Sequence, residues 1–386
     1  AQVRDFSRRH ERLPELVMAA PTGKAAQRLA ESLRVGVQYL KEETKALWQS
    51  EWQCVLAKEP STLHRLLGSR GASGGFSYGA DNRLPADIVL VDESSMVDLS
   101  LLRALLSSLS PETMLVLLGD ADQLAPVGTG TALADLVGAL EGGRALTRLH
   151  HSFRSNRELV ALNEAVRAGD SAAFSQAIET SNQKAQWHEI PDSRSLAKQV
   201  AQWAECVHHV LAQAQVFESL TLEDTAQQSR ALAATKSLQL LCALREGPFG
   251  VQEVNAAIEA FLRRTTGAAH ETNWYPGRCI IITRNHYATG LFNGDIGLCL
   301  RVRDSQGEEY LKVFFEATGD EGPRHFDTEY LPEHETAFAL TVHKSQGSEY
   351  GEVAVVLPPD DTQALLSRQL LHTGVSRAKE RVQLWA

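Results

Sequence analysis

The sequence IVLVDESSM, residues 88–96, decides how the rest of the chain is interpreted. Its four apolar residues end abruptly in two carboxylates, Asp92 and Glu93, and two serines follow. An unbroken apolar run of this kind is typical of a strand buried on both faces of a parallel sheet. Charge at its carboxyl end lies where open α/β sheets bind ligands, so Asp92 suits Mg²⁺ and Glu93 suits water activation in nucleotide hydrolysis. Acids that complement a helix dipole are the alternative.

The composition is that of an ordinary globular protein. The chain has 386 residues, of which 43% are hydrophobic and 22% charged, and this length suits two or three domains. It has no apolar run of membrane-spanning length and no signal-like start, and its five cysteines include no C-x-x-C pair. We therefore expect free thiols and a cytoplasmic location. The net charge of −10 argues against a protein whose whole surface is basic, but it allows nucleic acid to bind in a local basic cleft.

The turn after the first predicted strand, residues 16–20, carries Thr22 and Lys24 but does not form a phosphate loop. The pattern G-x-x-x-x-G-K-[ST] fails twice, because Met18 replaces its first glycine and Ala25 its hydroxyl residue. A strand-turn-helix with a hydroxyl, an ammonium group and free N–H groups suits a nucleic-acid phosphate better than the γ-phosphate of ATP. A plain helix start is the alternative.

Further strand patterns extend the same architecture. Residues 114–118 predict a second buried strand that ends in polar sequence containing Gln123, as a doubly wound sheet requires. Between about residues 274 and 331 the pattern changes to short β segments, separated by turn signals at 293–295 and 305–307. This spacing predicts a small β-barrel inserted in a second domain.

Motifs along nearly the whole chain resemble those of superfamily-1 DNA helicases, and in detail those of the RecD family, the α chains of exodeoxyribonuclease V. The matching segments are APTGKAA (20–26), STLHRLLG (61–68), VLVDESSM (89–96), LGDADQL (118–124), HHSFRSN (150–156), LLCALREGPFGV (240–251), GLFNGDIG (290–297), LPEHETAFALTVHKSQGSEY (331–350) and TGVSRAKERV (373–382). Their number and order make a chance match very improbable.

The resemblance implies an α/β fold with two RecA-like P-loop NTPase domains, each built on a parallel sheet. It assigns residues 1–149 to the first domain and residues 150–272 and 336–386 to the second. Residues 273–335 are expected to form an SH3-like β-barrel inserted in the second domain.

The implied function is an ATP-dependent, 5′-to-3′ DNA helicase or translocase motor of a RecBCD-type exonuclease V complex, acting in double-strand-break repair and recombination. ATP and Mg²⁺ are the implied cofactors. The implied partners are single- or double-stranded DNA ends and RecB- and RecC-like subunits, with no membrane, in a bacterial cytoplasm. Nuclease activity is expected in a partner chain.

The resemblance also assigns the residues of the ATP site beyond Asp92 and Glu93. Gln123 matches the family residue that senses the γ-phosphate, and an amide can both donate to phosphate and accept from water. Arg154 and Arg377 match two arginines that reach the γ-phosphate from the second domain, for which a planar fork of donors is suited. Gly347 and Glu349 match a loop that contacts the sugar or phosphate of the nucleotide, and a position facing backbone next to the DNA is the alternative for Glu349. Surface positions are the alternative for Gln123 and the arginines.

A larger set of polar residues matches family positions that touch single-stranded DNA. Hydroxyls and amides at strand ends bind phosphates without reading sequence, and rings near the track stack on bases. For His64 a buried core position is the alternative. The set is Thr22, Lys24, Thr62, His64, Asn293, Thr341, His343, Lys344 and Ser345.

One departure from the family concerns the phosphate loop. In the family a G-x-G-K-T-type segment lies just before the strand at 16–20, and this sequence starts after that position. We therefore expect a fragment without the Walker A segment that binds ATP weakly and is inactive alone. A non-catalytic DNA-binding or scaffold fragment is one alternative, and a stand-alone RecD-like helicase without partner chains is another. DNA-stimulated ATPase activity separates the motor from the scaffold.

Overall fold

The computed structural model forms two compact units, Ala1–Leu149 and His150–Ala386. Each unit has a parallel sheet of its own. The structure describes residues 2–40, 42–71, 74–126, 128, 130–149, 157–267, 273–317, 322–359 and 366–386.

The first unit is built on a four-stranded parallel sheet in the order β2-β1-β3-β4. The run at the start of 88–96 forms β3, and Ile88, Val89 and Val91 are buried in it, as the sequence predicts. The strands are β1 Leu16–Ala20, β2 Ser61–Thr62, β3 Ile88–Val91 and β4 Met114–Leu117.

The prediction that the strand at 114–118 is buried is wrong. The strand forms as β4, but all four of its residues are only half-buried. The physical reason is its place at the end of the described sheet, where β3 pairs with one of its edges. Apolar composition alone does not distinguish a central strand from such an edge strand.

Helices connect these strands and cover the sheet. Leu101, Leu102 and Leu105 on one face of α6 pack with Val89 and Val91 in a common core, the arrangement expected of an amphipathic helix on a sheet. The helices are α1 Gln2–His10, α2 Gly23–Gln38, α3 Glu42–Leu47, α4 Gln49–Leu56, α5 Leu63–Leu66, α6 Leu99–Ser108 and α7 Ala132–Ala139.

The second unit is built on a five-stranded parallel sheet in the order β13-β7-β14-β15-β5. Its central strands β7 and β14 are mostly apolar and buried, as strands under helices on both faces should be, with Gln239 and Glu352 as buried polar exceptions. The strands are β5 Ala185–His188, β7 Leu238–Cys242, β13 Ala339–Thr341, β14 Tyr350–Val356 and β15 Ala378–Trp385. The helices are α8 Arg157–Ala168, α9 Ser171–Thr180, α10 Ser193–Gln213, α11 Thr225–Ala234, α12 Val251–Thr266 and α13 Arg368–Val375.

A second sheet of this unit is mostly antiparallel and follows the order β11-β10-β9-β8-β12, with β6 pairing with β9 in parallel. The predicted turns occur with Gly294 at φ +96° and Gly307 at φ +88°. The strands are β6 Ser219–Leu220, β8 Cys279–Ile282, β9 Ile296–Arg303, β10 Glu309–Phe315, β11 Arg324–Asp327 and β12 His334–Thr336. The short β segments are thus confirmed, whereas their closure into an SH3-like barrel stays a prediction.

Among the helices that the structure describes, none combines the length and the apolar character needed to cross a membrane.

Candidate active site and nucleic-acid interface

The carboxyl edge of the first sheet gathers most of the predicted chemistry of the first unit. In the strand register Ala20 lies opposite Thr62, Ala19 opposite Val91, and Val91 opposite Leu117. The residues that follow these strand ends therefore emerge along one line. Ligands of open α/β sheets bind at this edge.

Glu93 has a strained backbone at this edge. Its φ of +48° and ψ of 39° are left-handed, a conformation that costs a residue with a side chain about 1–2 kcal/mol. Its N–H donates to Oδ1 of Asp92 at 2.8 Å, and the N–H of Asp92 donates to the Ala19 carbonyl at 2.9 Å. Strained residues of this kind cluster at functional sites, which agrees with the prediction for this carboxylate.

Two hydrogen bonds hold the turn after β3 against the end of β4. The N–H and the hydroxyl of Ser94 both donate to the carbonyl of Leu118, at 2.8 and 2.6 Å. Gly119 comes so close that a Cβ on it would lie 2.8 Å from the Ser94 Oγ and 3.0 Å from the Ser95 nitrogen. The two strand ends can therefore meet only because residue 119 has no side chain.

Gln123 lies in the turn after β4, and its side-chain oxygen is buried without a hydrogen-bond donor among the described residues. Its Nε2 donates to Oδ2 of Asp120 at 3.2 Å, whereas no described residue donates a hydrogen bond to its buried Oε1. A buried amide oxygen without a donor is costly, and a water molecule or another donor would satisfy it. The alternative of a plain surface glutamine does not describe this geometry.

The donor set fits a magnesium ion held jointly with phosphates. Within the described ranges, no three His, Cys, Asp or Glu side chains lie close enough together to hold a metal ion by themselves. Mg²⁺ in nucleotide sites uses one or two carboxylates and takes its other ligands from phosphates and water. The half-buried carboxylate of Asp92 is suited to that role.

Both predicted threonines of the first unit are helix caps. Oγ1 of Thr22 accepts the Ala25 N–H at 3.2 Å and begins α2, and Oγ1 of Thr62 accepts the Arg65 N–H at 3.2 Å and begins α5. Lys24 lies half-buried in the first turn of α2. A helix N-terminus at a strand end is a natural phosphate site, so these positions agree with the predicted DNA contacts.

His64 lies on the surface of α5, and the alternative of a buried core histidine is wrong. Its ring lies 6.0 Å from that of Phe76, tilted by 51°. Leu63 and Leu67 instead fill the core from this helical turn. A helix of a single turn has one buried face, and the residue after Leu63 points away from it.

In the second unit, one predicted DNA residue, Thr341, ends β13, and three more follow that strand. Oγ1 of Thr341 accepts the Lys344 N–H at 3.2 Å, and burial lowers the pKa of His343. For Ser345 the structure does not support a DNA contact, because its side chain is completely buried and its hydroxyl donates to the Val342 carbonyl at 2.7 Å. Ser345 therefore stabilises the turn from inside, a role that a sequence motif does not distinguish from ligand binding.

Lys344 forms an ion pair that the sequence does not reveal. Its Nζ lies 2.7 Å from Oε2 of Glu335, and Nη2 of Arg245 lies 3.0 Å from Oε1 of the same carboxylate. Arg245 and Glu335 are absent from the predicted set, because the two residues are far apart in sequence. Asn293 lies on the surface in the turn between β8 and β9, where its N–H donates to Oδ1 of Asn285 at 2.8 Å.

Arg377 is deeply buried, with 2% of its surface exposed, so the alternative of a solvated surface arginine is wrong. Its guanidinium donates to the Thr373 carbonyl at 3.0 Å, the Ser348 carbonyl at 3.4 Å and the Ser376 hydroxyl at 2.9 Å. The side chain thus ties the end of α13 to the loop before β14.

The other predicted nucleotide residues are placed as follows. Gly347 has a φ of +71°, which suits glycine, and lies in that loop. Glu349 is half-buried, and its carboxylate lies 3.1 Å from Nζ of Lys379. Arg154 lies outside the described residues.

Two family models match the chain. An AAA domain matches residues 2–129, and a UvrD-like helicase C-terminal domain matches residues 336–385. The RecBCD enzyme subunit RecD of Mycolicibacterium smegmatis is 39% identical over 376 residues, and that of Haemophilus influenzae is 31% identical over 411 residues. Both alignments cover 96% of this chain, and they cover 62% and 61% of the two relatives. The chain is a RecD-like member of helicase superfamily 1.

The RecD-like chain spans about three fifths of the length of these curated relatives. The ATP-dependent RecD2 DNA helicase of Deinococcus radiodurans is also similar, at 28% identity over 95% of this chain and 42% of that protein. The solved structure of the Pif1 helicase from Candida albicans aligns with 96% of the RecD-like chain and 90% of its own, at 16% identity and a TM-score of 0.47.

Proposed function

We propose that the protein containing this chain is an ATP-dependent DNA motor. The observation that carries the proposal is the set of groups at the carboxyl edge of the first sheet. Asp92 and the strained Glu93 follow β3, and Gln123, whose buried Oε1 accepts no hydrogen bond from the described residues, follows β4. Similarity to RecD proteins over 96% of the chain supports it. In this proposal the nucleotide is ATP and the metal ion is Mg²⁺.

The proposed chemistry divides among a few side chains. Bound Mg-ATP would supply the phosphoryl group and neutralise charge that develops on it. Asp92 would hold the metal ion, and Glu93 would take the proton of the attacking water, a role worth about 10²–10⁴ in rate. Gln123 would accept a hydrogen bond from that water at Oε1. Arg154 and Arg377 would stabilise the transferred group, and the loop of Gly347 and Glu349 would contact the nucleotide.

The proposed polymer partner is DNA, bound without regard to sequence. Hydroxyls, amides and ammonium groups at strand ends contact phosphates, which position the strand but do not read bases. The proposed residues with such groups are Thr22, Lys24, Thr62, Asn293, Thr341 and Lys344, and His64 and His343 would add imidazole rings. Because a motor must move along any sequence, contacts to the backbone and stacking are what it requires.

The finer parts of the proposal come from the family. We infer 5′-to-3′ movement, RecB- and RecC-like partner subunits, and action at double-strand breaks in a bacterial cell. The inferred domains are residues 1–149 and residues 150–272 with 336–386, with an SH3-like barrel at 273–335.

DNA-stimulated ATP hydrolysis by the full-length protein tests the proposal. Glu93→Gln should abolish the stimulated rate and leave DNA affinity unchanged. The matched control is Glu112→Gln, because exposed Glu112 precedes β4 at the opposite edge of the sheet. If the full-length protein hydrolyses no ATP with DNA present and Glu93→Gln changes nothing, a DNA-binding scaffold replaces the motor.

A further inference from the structure

Glu335 holds two cations at the carboxyl edge of the second parallel sheet. Arg245 follows the end of β7 by three residues, and Lys344 follows the end of β13 by three residues. These strands are parallel neighbours, with Thr341 opposite Cys242. The two cations therefore emerge side by side from equivalent positions, at the edge where open α/β sheets bind ligands.

The carboxylate is divided between the two cations. Oε1 of Glu335 pairs with Nη2 of Arg245 at 3.0 Å, and Oε2 pairs with Nζ of Lys344 at 2.7 Å. A phosphodiester also presents two oxygens that share one negative charge. It could therefore take the same two donors in the same arrangement.

Glu335 reaches this place from the antiparallel sheet. It lies in β12, opposite Ile281 of β8, whereas both cations follow strands of the parallel sheet. The side chains of Arg245, Glu335 and Lys344 retain 61%, 41% and 31% of their exposure. Ion pairs this exposed are weak and screened by salt, so an incoming phosphate can displace the carboxylate.

We propose that Glu335 occupies a DNA phosphate site formed by Arg245 and Lys344, and that the DNA backbone displaces it. The inference rests on the proposed function and deepens it in two ways. It adds Arg245 to the DNA-binding residues, and it makes Glu335 a competitor that lowers affinity when no phosphate is in place. Weak holding of the backbone suits a motor, since each contact must be released at every step.

DNA binding by the full-length protein without nucleotide tests the competition. Fluorescence anisotropy with labelled oligothymidine at low salt should give a Kd about 3- to 10-fold lower for Glu335→Gln than for the wild type. The gain should shrink as salt is raised, because salt also weakens the ion pairs that Glu335 makes. Glu333→Gln removes the same charge from an exposed residue just before β12 and should change the Kd less than about 2-fold.

The two cations are tested by their own variants. Arg245→Ala should raise the Kd about 5-fold and reduce the slope of log K against log salt by about 1. Arg230→Ala removes an exposed positive charge from α11 and should leave both values near those of the wild type. In an Arg245→Ala/Lys344→Ala background, Glu335→Gln should no longer tighten binding.

Three results would overturn the inference. Equal changes of the Kd in Glu335→Gln and Glu333→Gln would show that only the loss of a negative charge matters. Weaker DNA binding by Glu335→Gln would show that Glu335 positions the two cations for DNA and does not compete with it. If Glu335→Gln still lowers the Kd for DNA after both cations have been replaced, Glu335 does not compete with DNA for Arg245 and Lys344. The proposed function stands in all three cases if the wild type binds DNA, whereas a folded full-length protein that binds none would overturn both.

Discussion

Thr22 and Thr62 make the same hydrogen bond at the ends of neighbouring parallel strands. Each hydroxyl oxygen accepts the main-chain N–H three residues later at 3.2 Å, and Ala20 lies opposite Thr62 in the strand register. Thr341 repeats the contact with the N–H of Lys344 in the second unit. The bond uses an oxygen lone pair and leaves the O–H proton as a donor, so one side chain can begin a helix and bind a phosphate.

Thr62→Val should therefore weaken both stability and DNA binding. Valine has the shape of threonine without its hydroxyl, so the cap is lost and unfolding should need about 1 kcal/mol less. DNA affinity should fall about 5-fold if the O–H donates to a phosphate. Thermal melting and anisotropy measure the two effects. Thr62→Ser keeps the hydroxyl and should restore both, and a serine variant as weak as the valine variant would contradict the double role.

Glu93 offers a separation of catalysis from stability. Glu93→Gly should raise the free energy of unfolding by about 1 kcal/mol, because glycine adopts the left-handed conformation without strain. The same variant should lose the DNA-stimulated ATPase, since the carboxylate is gone. Glu93→Gln keeps the strain and loses the ATPase, so its melting temperature should match that of the wild type. A glycine variant less stable than the wild type would show that the side chain stabilises the turn.

Gly119 and Gly36 provide a matched pair. A Cβ at Gly119 would lie 2.8 Å from Ser94 Oγ and 2.9 Å from Leu133 Cδ2, whereas a Cβ at Gly36, exposed in α2, would meet nothing within 4 Å. Gly119→Ala should destabilise the protein by about 1–3 kcal/mol and lower ATPase activity by separating the two strand ends. Gly36→Ala should stabilise it by about 0.5–1 kcal/mol and leave activity unchanged. Denaturant unfolding measures both, and equal effects of the two changes would contradict the close approach.

Burial of His343 predicts a dependence of stability on pH. Burial disfavours the charged imidazolium and lowers the pKa of His343, so the unfolded chain binds its proton first as the pH falls. Stability is then fully present above the ordinary histidine pKa of about 6.5 and declines below it. His188 and His325 shift in the same direction through burial. The melting temperature of His343→Gln should therefore fall less than that of the wild type between about pH 7.5 and about pH 5.5. If the melting temperatures of the two proteins fall equally, His343 is not the source of the pH dependence.

The strand-end chemistry was predictable because its signals are local. The apolar run before Asp92 specifies a buried strand, and the polar residues after it can only lie at the carboxyl edge. Turns such as that at Gly294 are likewise encoded by a few adjacent residues. These features need no knowledge of what packs against them.

The remainder depends on contacts between distant residues. Glu335 is paired with Arg245 across 90 positions, and no periodicity reveals that contact. The half-burial of β4 reflects its place in the sheet and not its composition. Ser345 and Lys344 are adjacent in one motif, yet one is buried and the other lies in an exposed ion pair. A motif identifies a family position, but the packing decides which of its side chains can meet a ligand.

Arg377 combines a proposed catalytic role with a visible structural one. Arg377→Ala should remove most of the DNA-stimulated ATPase, since an arginine at the γ-phosphate is worth about 10³–10⁵ in rate. The buried carbonyls of Thr373 and Ser348 would also lose a donor, which should lower the free energy of unfolding by about 2–4 kcal/mol.

Arg377→Lys separates the two roles, because it keeps the charge but not the planar fork that reaches several acceptors at once. Steady-state ATPase assays and DNA anisotropy, both well below the melting temperature of the least stable variant, measure the outcome. Both variants should bind DNA nearly as the wild type does, with the ATPase lost in each and the lysine variant the more stable. A large loss of DNA affinity in either folded variant would instead move Arg377 to the DNA track, and an ATPase that falls only as far as the folded fraction falls would leave it a structural residue.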